Sequence, residues 1–212
     1  IDGSQKEFEN GKNAYEIASS ISSSLAKKSI YALVNGEPYD LMRPIEGDAK
    51  LELKFKEDAF EVLNHSTSHI MAAAIKHLYP NAMFGVGPAI EEGFYYDINP
   101  GEGVKFTDQD LVKIEKEMKH IASQDLPFIR TVVSKAEALE QFKNDKYKQE
   151  IINELPDDSV ITLYQCGDFI DLCRGPHLPS TKFAKNCKLL NVSGAYWRGD
   201  SKNEQLQRIY GT

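Results

Sequence analysis

Two pairs of side chains carry the chemical potential of this sequence: His65-x-x-x-His69 and Cys173-x-x-x-His177. Residues four apart on a helix lie about 40° from one another around the axis, so His65 and His69 offer their ring nitrogens to a common point. Imidazole titrates near neutrality, which suits it to take a proton from water or to ligate a metal. The second pair cannot be helical. Gly175-Pro176 falls inside Asp171-Leu172-Cys173-Arg174-Gly175-Pro176-His177 and forces a turn that can fold Cys173 and His177 toward one centre. Three histidines and a cysteine are also a sufficient set for tetrahedral zinc. Spacing leaves three chemistries open: a closed structural zinc site, a water-activating metal centre and a metal-free hydrolytic pocket.

The elements that must position these residues divide near residue 58. Before it, the pattern predicts a turn at Asp2-Gly3, a short alternating run Lys6 to Glu9, a helix Ala14 to Lys27, and strands Tyr31 to Asn35, Tyr39 to Met42 and Leu51 to Phe55. Asn35-Gly36 between apolar runs signals a hairpin, since a type I′ turn needs positive φ at both central residues. A first strand ahead of Asp2-Gly3 is expected and missing. From Asp58 to Tyr79 the pattern is helical, with Phe60, Leu63, Thr67, Ile70, Met71, Ala74 and Leu78 on one apolar stripe until Pro80 stops it. His65 and His69 point away from that stripe, toward a cleft or solvent. Further expectations are a strand Phe94 to Ile98 and helices Asp108 to Gln124 (capped by Thr107 or Asp108), Ser134 to Phe142 and Lys146 to Leu155. A strand Val160 to Tyr164 and a turn-rich remainder with strands at Phe183, Lys188 to Asn191 and Ala195 to Trp197 complete the reading.

The chain has 212 residues, 41% hydrophobic and 27% charged, which fits a globular fold of one large domain or two small ones and excludes disordered and collagen-like classes. The longest uncharged apolar run, around Ile70 to Ile75, falls far short of the roughly 20 residues a bilayer span needs, so no membrane is expected. Three cysteines (Cys166, Cys173, Cys187), an odd number, favour a reducing compartment, and the absence of a leader agrees with the cytoplasm. The opening at Ile1, without an initiator Met, points to a piece of something longer. On the same grounds the Asn64-His65-Ser66 and Asn191-Val192-Ser193 sequons and Arg198-Gly199-Asp200 read as chance. With 25 Lys plus Arg against 32 Asp plus Glu, the net charge of -7 argues against non-specific coating of nucleic acid, though it leaves room for a local basic patch.

The helix motif Asn64 to His69, the segments Gly85-Val86-Gly87-Pro88 and Gly93 to Asp97, the Asp171 to His177 loop, Gly194 to Asp200 and the final Leu206 to Thr212 together resemble the amino-terminal half of bacterial threonyl-tRNA synthetases. The resemblance covers essentially the whole chain. It implies an α+β architecture: a small ubiquitin-like β-grasp domain of the TGS type over residues 1–58, lacking its first strand, followed over 59–212 by a larger α/β editing domain of the threonyl/alanyl second-additional-domain type. The class II aminoacylation core is absent, so ATP, that core's catalytic zinc and homodimerisation through the core belong outside this chain, and no aminoacylation is expected of it.

The implied function is hydrolysis of the ester in mischarged seryl-tRNA(Thr). A threonine pocket rejects serine only through one missing methyl, worth roughly 1–3 kcal/mol, and a second sieve makes up the difference. The resemblance implies His65 as the imidazole that orients or deprotonates water, with His69 and His177 positioning substrate or a second water. Cys173 becomes a polar wall rather than a nucleophile. Lys148 would stabilise charge on the ester or the leaving 3′ oxygen, and Asp171 and Tyr95 would line the serine pocket. The acceptor end of tRNA(Thr) and the remainder of the synthetase are the implied partners, with Lys182, Lys185, Lys188, Arg198, Lys202 and Arg208 as the basic surface. No obligatory metal is expected, with zinc at His65, His69, Cys173 and His177 as the alternative. Two other classes compete: a zinc-stabilised RNA-binding module without catalysis, and a metal-dependent hydrolase of a small substrate.

Overall fold

The computed structural model describes residues 3–212, so Asp2 of the expected Asp2-Gly3 turn lies outside the described residues. The Lys6 to Glu9 run forms no strand and is exposed. Where one helix was expected, two form: α1 (Ala14–Ile21), closed at its start by a capping box between Asn13 and Glu16, and α2 (Ser23–Lys28). The break falls at Ser22, which is extended at φ −164° and caps α2 through its hydroxyl. In this serine-rich stretch hydroxyls compete with the helix for backbone groups. Three antiparallel strands follow, β1 (Tyr31–Val34), β2 (Glu37–Asp40) and β3 (Leu51–Lys54), in the order β2-β1-β3. Asn35 and Gly36 take φ of 52° and 88° as the hairpin requires. The return strand therefore starts at Glu37, two residues earlier than Tyr39, because a two-residue turn leads straight back into pairing.

The larger unit is built on α3 (Phe60–Leu78). Its middle is buried on every side: Ile70, Met71 and Ala74 as expected, but also Ser66, Ser68, His69, Ala72 and Ala73. The ends of the expected stripe, Phe60 and Leu78, are half-exposed. The histidines thus point into the protein, and the small residues around them let neighbouring elements approach closely. Short strands β4 (Met83–Phe84) and β5 (Ala89–Ile90) flank the long β6 (Gly93–Asn99). Then come α4 (Asp108–Ser123, capping box Thr107/Asp110), β7 (Phe128–Val133), α5 (Lys135–Gln141, capping box Ser134/Glu137) and α6 (Lys146–Glu154, capped by Asp145). Strands β8 (Ile161–Cys166) and β9 (Phe169–Leu172) precede β10 (Leu189–Tyr196) and β11 (Gln205–Gly211).

Two sheets result, β10-β11-β6-β4 with β5 also on β6, and β7-β8-β9. The core joins α3 and α4 to the first sheet through Ile70, Ile75, Phe84, Phe94, Ile98, Ile114, Met118 and Ile209. Several expectations are corrected here. Phe183 lies in a 3-10 turn, Thr181–Ala184, nucleated by the Ser180 hydroxyl. The two short strands around 188–197 are one strand with an irregularity between Leu189 and Asn191. The short β4 and β5 and the longer β7, β9 and β11 are strands beyond those expected. Among the described residues, no helix is long and apolar enough to cross a membrane.

His77, in the last turn of α3, joins three elements, with Nε2 2.7 Å from Asp168 between β8 and β9 and Nδ1 2.9 Å from Glu117 on α4. The Asp168 hydrogen bond, with that of Glu117, raises its pKa above the ordinary value. The imidazolium therefore contributes stability that is fully present below the unfolded-state value of about 6.5 and is lost as pH climbs through the raised folded-state value. We expect the gap in urea midpoint between wild type and His77→Gln to be wider at pH 6 than at pH 9. An equal gap at both would show that the charge contributes nothing.

Candidate active site

α3 supplies His65 and His69 on adjacent turns, and the turn after β9 brings Cys173 and His177 against them. The His69 and His65 Nε2 atoms are 3.2 Å apart, and Cys173 Sγ is 3.4 Å from His65 Nε2. The His177 ring centroid lies 4.7 Å from that of His65 and 4.4 Å from that of His69. One ligand atom from each of the four residues lies within 4.8 Å of all the others. Residues 108 positions apart in the chain, Cys173 and His65, are thereby neighbours.

Beneath the cluster sits a buried ion pair. Lys148 on α6 and Asp171 on β9 meet at 2.8 Å with side chains 4% and 1% exposed. The Lys148 ammonium also donates to the Gly85 carbonyl (2.8 Å) and the Tyr96 hydroxyl (3.0 Å), so all three of its hydrogens are engaged. Asp171 accepts from Tyr96 Oη at 2.5 Å and from the Leu172 amide at 2.8 Å, and His69 Nδ1 approaches its Oδ2 at 3.2 Å. Asp171 accepting from Nδ1 orients the His69 ring and turns Nε2 toward His65. A Cβ at Gly87 would stand 2.2 Å from the Tyr96 ring, so glycine is what lets this loop pack on it.

Burial sets the protonation states. It holds His69 and His177 well below the ordinary imidazole value, helped at His69 by His65 and Lys148 and at His177 by His69 and His65, and it lowers His65 as well. All three rings are neutral at neutral pH. Burial pushes the Cys173 thiol up to about 12, which keeps it protonated and makes it a poor nucleophile.

Of the residues read from the sequence, His65, His69, Cys173, His177, Lys148 and Asp171 come together. Tyr95 does not. Side chains alternate along β6, so Phe94, Tyr96 and Ile98 face inward, while Tyr95 lies on the other face under Arg208, whose guanidinium carbon is 3.9 Å from the ring centre. The inward tyrosine is Tyr96, and its parity with Phe94 and Ile98 is the signal that would have found it. Asp171 and Lys148 are neutralised by each other rather than open to a ligand. Ser66, also missed, has its Oγ 2.9 Å from His177 Nδ1 while accepting the Leu178 amide at 3.0 Å. The basic surface is thinner than expected. Lys182 pairs with Asp125, Lys188 with Glu115, Arg198 with Glu150 and Glu154, and Arg208 with Asp97. Lys185 and Lys202 alone of the six are exposed without an ion pair among the described residues.

The donor set also fits zinc. His177 Nε2 is buried without a hydrogen-bond partner, and the far nitrogens of His69 and His177 hold Asp171 and Ser66, the outer partners that zinc-binding histidines use. His65, His69, Cys173 and His177 are the residues that would hold it.

Comparison with known proteins gives a consistent picture. Residues 2–54 match the TGS domain, and residues 161–210 match the threonyl and alanyl tRNA synthetase second additional domain. The chain is 51% identical over 214 residues to a threonine-tRNA ligase of Streptococcus equi subsp. zooepidemicus, 52% over 213 residues to that of Staphylococcus saprophyticus and 53% over 215 residues to that of Listeria monocytogenes. Each alignment takes in 100% of this chain and 33% of the relative, so the chain spans about a third of the length of the curated relatives it matches.

Removing one member of the buried pair leaves the other charge stranded, at a cost of about 3–5 kcal/mol, whereas replacing both by apolar residues recovers much of the loss. Urea denaturation of Lys148→Met and of Lys148→Met/Asp171→Leu measures this. A single variant as stable as wild type would contradict the burial of the pair.

Proposed function

We propose that this chain, which joins a TGS domain to a threonyl/alanyl-type second additional domain, is an editing module that hydrolyses the ester of seryl-tRNA(Thr). The convergence of His65, His69, Cys173 and His177 over the Lys148–Asp171 pair carries this reading. His65 is the least buried of the three imidazoles and is neutral, so it can accept a proton near neutral pH. In the proposed step one proton of water passes to His65, and the hydroxyl oxygen bonds to the ester carbonyl carbon. The bond to the ribose 3′ oxygen then breaks, and that oxygen takes up the proton. His69, oriented by Asp171, and His177, oriented by Ser66, hold the water and the seryl group. Cys173, a thiol and not a thiolate, forms part of the wall.

Lys148, neutralised by Asp171, acts in this reading through that pair, holding the carboxylate where it orients His69. The ester is presented by the acceptor end of tRNA(Thr), with Lys185 and Lys202 as the cations free to meet its phosphates. In cells the module works beside the remainder of a synthetase, correcting a methyl-sized discrimination that a single pocket cannot supply.

A second reading, a zinc-stabilised RNA-binding module, is favoured by the unpartnered His177 Nε2 within a complete ligand set. A bound zinc ion would supply Lewis acidity or an activated water at the same place. Our reading requires none.

Incubation with seryl-tRNA(Thr) and threonyl-tRNA(Thr) separates these possibilities. Selective serine release that survives chelation supports a metal-free esterase, whereas binding without release supports the RNA-binding module. We expect His65→Ala to slow deacylation by about 10²-fold or more, the loss typical of a positioned base, with an unchanged circular dichroism spectrum. Cys173→Ser should retain turnover to within about tenfold, since loss of a covalent nucleophile costs far more. Abolition of turnover by that substitution would restore the cysteine as nucleophile.

A further inference from the structure

His177 is held at four points, and one of them, which also supports a second, comes from outside the editing unit. Its Nδ1 meets Ser66 Oγ, and its ring stacks on Phe128 at 4.8 Å with an interplanar angle of 7°. The Tyr164 ring meets it edge-on at 4.5 Å, and its backbone amide donates to Asp40 Oδ1 at 2.9 Å. Asp40 closes β2 of the small N-terminal unit. Its other oxygen, Oδ2, accepts the Tyr164 hydroxyl at 2.5 Å. One carboxylate from the small unit therefore fixes both the backbone of His177 and the aromatic ring packed against its imidazole.

The loop offers no alternative way to fix that geometry. Pro176 has no amide hydrogen, and the His177 amide belongs to no strand, so without Asp40 it would lose its acceptor in a site where buried amides are costly to leave unpaired. Gly175, at φ +71°, packs so closely on Tyr164 that a Cβ there would stand 2.0 Å from the hydroxyl, which ties the turn to the tyrosine that Asp40 holds. The small unit also reaches into the core of the larger one through Ile30 and Tyr31.

We propose that Asp40 is a positioning residue for His177, so that docking of the TGS unit sets the geometry of the esterase pocket. The rate measurement below rests on the editing activity proposed above; the spectroscopic one does not.

The test uses the 212-residue chain with Asp40→Ala, Asp40→Asn and Tyr164→Phe. Misplacement of a group in a pocket by about 1 Å can cost 10²-fold in rate. We expect Asp40→Ala to lower kcat for seryl-tRNA(Thr) deacylation by about 10- to 100-fold with KM changed by less than about threefold. Asp40→Asn keeps an acceptor oxygen for the amide and should recover most of the rate. Tyr164→Phe keeps the ring and should fall between the two. In substrate-free protein labelled with 15N histidine, Asp40→Ala should move the imidazole resonances of His177 while leaving those of His120, on the far part of α4, in place. Unchanged kcat together with unchanged His177 resonances in Asp40→Ala overturns the proposal. So does a loss in Asp40→Asn as large as in Asp40→Ala, since the acceptor would then be irrelevant. If wild type releases no serine and Asp40→Ala still shifts His177, positioning by Asp40 stands and the esterase reading fails.

Discussion

The site rests on one buried ion pair. Lys148 and Asp171 come from a helix and a strand in separate parts of the fold, and neither would be tolerated alone in so dry an environment. Together they satisfy one another and recruit the Gly85 carbonyl, the Tyr96 hydroxyl and the His69 ring. Each of those contacts fixes an element: the loop before β5, strand β6 and helix α3. Asp171 thereby does for the pocket what a metal does in a metalloenzyme, gathering side chains from distant segments around one charge.

The facing of the two tyrosines on β6 shows how far the sequence carries and where it stops. The His65/His69 pair, the Cys173/His177 turn and the long helices were legible because period, capping residues and Gly-Pro punctuation are local signals. Tyr95 and Tyr96 are indistinguishable in sequence because the parity of a strand is set by which face meets the core, and two consecutive tyrosines satisfy either choice. The strands β7, β9 and β11 escaped for a related reason. They are strands because partners elsewhere along the chain pair with them, as Arg130 does with Tyr164 and Arg208 with Asp97.

Electrostatic expectations meet a different limit. A list of lysines and arginines near the carboxy terminus suggested a basic face, yet Arg198 and Arg208 spend their charge on Glu150, Glu154 and Asp97. Composition counts charges, whereas the fold decides which are neutralised at short range. Asp40 illustrates the converse: nothing near it in sequence marks it, and only the docking of two units brings it to the His177 amide.

The close grouping of the three imidazoles carries a consequence for how the pocket stores charge. His65 lowers the basicity of His69 and of His177, and His69 that of His177, so a proton on one ring opposes a second on its neighbour. Charge placed on one ring is therefore felt by the others, whose centroids lie 4.4–4.9 Å away.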